Sequence, residues 1–173
     1  MTTLASIESA RVFAQHRDEV YRWAYRLVGR HHDALDVAQD VFVKWIEASR
    51  GGGVVDNPRA WLRRVTANRA IDVVRARTTA VAAALDLGNS RIAKDVDESH
   101  SHDELRREIA LALEPLTDIQ RSVLIARTFD ELTFAKIAAE LDVAIPTVKT
   151  HYLRAVSAVR DRLAKLKRQE RVP

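Results

Sequence analysis

Apolar positions recur at helical spacing along nearly the whole chain, and the two-residue alternation of a half-buried strand is absent. The pattern predicts an all-α protein. Val12 to Val28 reads as an amphipathic helix stopped by Gly29, a residue suited to the left-handed position after a helix end. Asp33 is placed to cap a second helix, with Asp36 three residues on as a variant of the capping box. That helix carries Val37, Val41 and Trp45 on one row, with Phe42 and Ile46 beside it. It should end near Ser49, ahead of Gly51-Gly52-Gly53, and Arg50 to Asn57 then reads as a flexible loop. Pro58 loses nothing by lacking an N–H in a first turn and starts a third helix, expected to reach about Arg77. Its apolar residues spread around much of the circumference, so it should pack on more than one side.

The pattern breaks from Thr78 to His102. The Ala-rich start of that stretch suits a short helix, and NSRIAKDVDESHSHDE is polar enough to be a linker. From about Asp103 a second helical unit begins, interrupted by Pro115. Thr117 and Gln120 fit a T-x-x-Q capping box for a helix over Asp118 to Arg127, and Thr133 is placed to cap the next one. The basic tail should fray. The expected organisation is two small helical domains, 1–78 and 103–173, joined by a flexible linker over 79–102.

The segment TFAKIAAELDVAIPTVKTHYLRAVSAVRDRL, from Thr133 to Leu163, has the form of a helix-turn-helix. Ile137, Ala138 and Leu141 give a short amphipathic helix, Asp142 and Val143 supply the tight turn, and Pro146 fits the first turn of the second helix. Val148, Tyr152, Ala155, Val159 and Leu163 can bury one face of that helix. Thr147, Lys149, Thr150, His151 and Arg154 are left outward near its N-terminus, the end that enters a DNA major groove in this motif. Two packed surface helices without a ligand would share the spacing, but the basic outer face favours nucleic acid.

Charge distribution points the same way. The net charge is only +4, with 28 Lys and Arg against 24 Asp and Glu. Yet Arg59 to Arg77 holds six arginines against one aspartate, and Asp142 to Arg168 holds seven basic residues against two acidic. Between them, Asp86 to Glu104 holds six acidic residues against two basic. Two basic segments flanking an acidic one suit two contacts on one polyanion, although solvated helix faces explain most charge runs. Seven of the ten aromatics lie before residue 62 and most must be core; Trp61, beside the arginines, is either core or a stacking platform for an unpaired base.

DALDVAQDVFVKW (Asp33 to Trp45), PRAWLRRVTANRAID (Pro58 to Asp72), LTDIQRSVLIAR and the helix-turn-helix together resemble bacterial RNA polymerase sigma factors. The compact extracytoplasmic-function type, with sigma regions 2 and 4 joined by a linker, is the nearest in form. The resemblance covers about Phe13 to Arg77 and Glu108 to Leu163. It implies an alternative sigma factor that binds core polymerase, directs promoter recognition and melts DNA. In this family the D-x-x-Q-[DE]-x-F helix docks on the β′ coiled coil, which places Asp36, Gln39, Asp40 and Val43 at that interface and leaves Phe42 to the core. The loop and helix around P-R-A-W-L capture a flipped base of the −10 element, matching Asp56, Asn57, Arg59, Trp61, Arg63, Arg64 and Asn68. Asn68 equally suits an intramolecular hydrogen bond. The outward set on the second helix of the helix-turn-helix would read the −35 element. Implied partners are core polymerase, through its β′ and β subunits, and promoter DNA; an anti-sigma factor is left open as a third. Asp142 stands where Gly is usual in the turn, Ala144 where a capping Ser is common, and His151 where Arg is frequent.

Two other readings carry less. Leu116 to His151 also fits the output domain of a two-component response regulator, but a receiver domain needs strands that the N-terminal half does not offer. An enzyme would need a site, and none is visible. His31 and His32 are adjacent and cannot share a helix face, so no metal site follows from them. No nucleotide-binding glycine loop or nucleophile motif appears, and no catalytic residue, cofactor or metal is expected. Without cysteines there is no disulfide or thiol chemistry, which suits a reducing compartment. No signal peptide or run of roughly 20 apolar residues is present, so the expected location is the cytoplasm, with no membrane contact.

Overall fold

The computed structural model describes residues 2–50, 55–86 and 100–169. These form seven helices and no strand: α1 Thr2–Val28, α2 His31–Arg50, α3 Pro58–Asp86, α4 His100–Leu113, α5 Asp118–Thr128, α6 Phe134–Leu141 and α7 Ile145–Gln169. The strand–helix alternation of a receiver domain is therefore excluded for the described N-terminal residues. The triple-glycine loop, residues 87–99 of the expected linker and the last four residues of the basic tail lie outside the described residues.

Local chemistry sets several of the boundaries. Gly29 ends α1 in the left-handed region at φ 76°, its N–H donating to Tyr25 O at 2.9 Å. A side chain there would also meet that of Arg106. Thr117 and Gln120 make the reciprocal capping box at the start of α5, and Thr133 caps α6 by accepting from the Lys136 N–H. Asp142 takes the left-handed position after α6 at φ 51°, which Asp tolerates better than most residues. The expected cap of α2 is not formed. That helix starts earlier, at His31, so Asp33 falls inside its first turn and accepts from Arg77 at 3.0 Å. α3 continues beyond Arg77 to Asp86, so the start of the expected linker is helical.

α1, α2 and α3 pack through Val20, Trp23 and Leu27, Val37, Val41 and Trp45, and Leu62, Ala67, Ile71 and Val74. The same core takes in Ala110 and Leu113 of α4, Ile125 of α5 and Ala155 of α7. α3 thus packs on two sides, as its apolar distribution requires. A smaller core of Val123, Ala126, Ile137, Ala138 and Val148 fixes the helix-turn-helix. Ile46, expected beside the buried row of α2, is turned outward.

Candidate nucleic-acid and polymerase interfaces

Burial of one face fixes the rotation of α7. Val148 and Ala155 are buried, and Tyr152 packs edge-to-face on Phe134 with ring centroids 5.4 Å apart. Thr147, Lys149, Thr150 and Arg154 are consequently exposed together near the N-terminus. The Thr150 hydroxyl donates to Pro146 O at 2.9 Å, which leaves its oxygen as an acceptor toward solvent. His151 is less outward than the sequence pattern predicts. It is half-buried, with Nδ1 turned into the protein and no hydrogen-bond partner among the described residues.

α3 departs further from the expectation. Asp56 and Arg64 are exposed. Asn57 caps the helix, its Oδ1 accepting from the Ala60 N–H at 3.0 Å. Trp61 is half-buried edge-to-face on Trp45, 5.4 Å between centroids. Arg63 is 0% exposed, and it faces the C-terminal unit rather than solvent. Its Nε donates to Asp130 Oδ2 at 2.9 Å and Nη1 to Glu140 Oε2 at 3.0 Å. Arg59, one turn earlier, donates Nη1 to Glu140 at 2.8 Å and Nη2 to Glu19 at 2.8 Å, with Asp130 at 3.5 Å. Trp23 lies under both guanidinium groups, at 5.8 and 5.4 Å, and donates Nε1–H to Asp130 Oδ1 at 2.7 Å. Asn68 follows the intramolecular alternative, donating to Asp118 at 3.1 Å and accepting from Arg121.

The protonation states follow from these contacts. Burial pushes the Glu19 carboxyl up, but hydrogen bonds from Arg59 and His16 outweigh it and hold the group below its ordinary value. Burial disfavours the Arg59 cation, and its carboxylate neighbours reverse the effect and raise its pKa. Arg121 shifts the other way, its pKa lowered by burial against weaker attraction from Asp118. Arg121 also donates to the carbonyls of Leu113, Glu114 and Leu116, tying α5 to the end of α4.

On α2, Asp36, Gln39 and Val43 are exposed on one face, joined by Leu35 and Ile46. Phe42 is buried, edge-to-face with Phe13 at 4.8 Å. Asp36 pairs with His32 at 3.1 Å, and Asp40 accepts from Arg69 at 2.6 Å, so neither carboxylate is free. His31 bonds the Tyr21 hydroxyl instead, so the two histidines have separate partners.

Sequence reasoning missed Glu19, Trp23, Asp130 and Glu140. One signal was present. Arg59 and Arg63 share a row with Thr66, Ala67 and Ala70, so a helix packed on two sides would bury them, and buried cations require carboxylates.

Residues 12–79 match the family model of Sigma-70 region 2, and residues 106–159 that of Sigma-70, region 4. The chain is 31% identical over 157 residues to the ECF RNA polymerase sigma factor SigL of Mycobacterium tuberculosis, spanning 90% of this chain and 88% of that protein. It is 34% identical over 156 residues to the ECF RNA polymerase sigma factor SigE of Mycolicibacterium smegmatis, over 87% of this chain and 60% of that relative's length. Among solved structures, the sigma factor RpoE in complex with the anti-sigma factor NepR from Bartonella quintana overlays with a TM-score of 0.45 at 21% identity, covering 90% of this chain and 96% of that one. With residues 12–79 of α1–α3 matching region 2, residues 106–159 of α4–α7 matching region 4, and a relative aligned over most of both chains, the protein belongs to the extracytoplasmic-function RNA polymerase sigma factors.

Proposed function

We propose that this sigma factor binds core RNA polymerase through the α2 face of Asp36, Gln39, Asp40 and Val43. It reads the −35 element as duplex through Thr147, Lys149, Thr150, His151 and Arg154. It engages the −10 element through Asp56, Asn57, Arg59, Trp61, Arg63, Arg64 and Asn68. The observation that carries this reading is the exposed N-terminal face of α7, with Lys149 and Arg154 making no ion pair among the described residues. Phosphate contacts from these cations position the helix, and neighbouring side chains supply base contacts. The protein acts without catalysis of its own, in the cytoplasm. Its partners are core polymerase, through β′ and β, and promoter DNA; an anti-sigma partner rests on the family alone.

Among the described residues, no helix is long and apolar enough to cross a membrane. The test is transcription in vitro with core polymerase and a randomised promoter library. Selected transcripts sharing two elements at fixed spacing support the reading. Initiation no more selective than that of core polymerase alone refutes it.

A further inference from the structure

The arginines assigned to the −10 face of α3 are already occupied. Arg63 is fully buried between Asp130 and Glu140, and Arg59 is shared among Glu19, Asp130 and Glu140. Asp130 precedes α6 and Glu140 lies near its end, so both belong to the part of the chain that carries the −35 helix. Contacts continue around this pair. Arg26 donates to Phe129 O at 2.7 Å and lies over its ring, Asn68 meets Asp118 and Arg121, and Arg75 pairs with Glu114 at 3.2 Å. Arg59 spends Nε, Nη1 and Nη2 on carboxylates, and Arg63 keeps unpaired only a buried Nη2, so neither guanidinium presents an edge to a phosphate arriving from solvent. The α7 face, by contrast, stays uncovered.

We propose that Asp130 and Glu140 form an intramolecular latch. They hold Arg59 and Arg63 where nucleic acid would, close region 4 over region 2, and keep the free protein unable to engage single-stranded −10 DNA until the latch opens. This rests on the reading of α3 as the −10 helix. Three features support a latch over a passive salt bridge. The carboxylates satisfy the same donors that phosphate oxygens satisfy. The Asp130 carboxylate is anchored a second time by Trp23 Nε1–H, which fixes its aim. And Arg63 Nη2 is buried without a partner, so the closed arrangement leaves a donor that an alternative anion could satisfy.

Closure lowers apparent affinity by the fraction of molecules that are open. The test uses the full chain with Asp130→Asn and Glu140→Gln combined, which keeps side-chain volume and removes both charges. Arg63 then lacks the charged partners that make its burial tolerable, so the interface opens. The chain has no cysteine, so Lys44→Cys and Arg160→Cys give a unique label pair on exposed α2 and α7 positions. The parent should show one narrow distribution of label distances and weak binding to a single-stranded −10 oligonucleotide. The double variant should show a longer, broader distance and, with a parent open fraction of about one in ten or less, binding tighter by about tenfold or more. Circular dichroism with undiminished helicity separates opening from unfolding.

An unchanged distance, or opening without a gain in binding, overturns the latch. Loss of helicity with no gain in binding overturns it too, because the pair is then only structural. Arg64→Ala reports on the underlying reading, since Arg64 is exposed and outside the latch. If it leaves promoter opening by the holoenzyme unchanged, the −10 assignment of α3 falls and the latch with it. If it weakens opening while the double variant behaves as the parent, the latch alone falls.

Discussion

The two N-termini of the helix-turn-helix make a matched experiment. α6 begins with Thr133, whose hydroxyl accepts from the Lys136 N–H at 3.2 Å. α7 begins after Ala144, which has no such group, and Pro146 removes one of the donors that a cap would serve. The Thr147 N–H donates to Ala144 O at 3.0 Å in a tight first turn and is the remaining target. Ala144 is exposed, so a serine hydroxyl meets no steric obstacle. Ala144→Ser should therefore stabilise by about 0.5–1 kcal/mol, the lower part of the capping range, because Thr147 already has a partner. Thr133→Ala should cost about 1 kcal/mol. At this chain length 1 kcal/mol moves Tm by about 2–4 °C. Calorimetry on both single variants and the double should give a rise of about 1–4 °C, a fall of about 2–4 °C, and a double variant near the parent. A fall in Tm for Ala144→Ser, or no shift, would refute the reasoning and show that the tight first turn already satisfies the helix end.

Other outcomes follow from the site geometry. Glu19 ionises below its ordinary pKa of 4.5 in the folded protein, so its stabilisation is complete above that value and is lost as pH falls through the folded pKa. Glu19→Gln should flatten the decline in Tm below about pH 4.5, and an unaltered acid limb would remove Glu19 from the account. Asp40→Lys should weaken binding to core polymerase, whereas Arg69→Ala, which breaks the same 2.6 Å pair but keeps the carboxylate, should not; equal losses would make the pair merely structural. Lys149→Ala should lower −35 affinity evenly across sequences and reduce the salt slope by about one, whereas His151→Ala should alter preference at one base by about 1–3 kcal/mol. A selected-sequence profile untouched by His151→Ala would make His151 a packing residue, consistent with its inward Nδ1.

The helical architecture was legible because each rule behind it is local. Gly29, the Thr117–Gln120 box, the Thr133 cap and left-handed Asp142 involve neighbours in sequence, and each is found. Asp33 was misread because Arg77, 44 residues away, outcompetes a local cap that α2 does not need once it starts at His31. The fate of the α3 arginines was invisible for the same reason. Arg63 meets Asp130 across 67 residues and Glu140 across 77, and no periodicity encodes which acid closes on which base. The α7 face was readable because its own buried row sets its rotation, except at His151, which sits at the margin of that row.

The ion cluster also bears on how the protein searches a cell. Two guanidinium cations held by three carboxylates amount to a local charge of minus one, so Arg59 and Arg63 add no long-range attraction to polyanions. Bulk DNA vastly outnumbers promoters, and its grip on a protein grows with each bare cation that displaces counterions. A molecule that carries these arginines neutralised loses less of its free population to the genome at large. More of it stays in solution, where collisions with polymerase occur, and its arginines are spared from indiscriminate use.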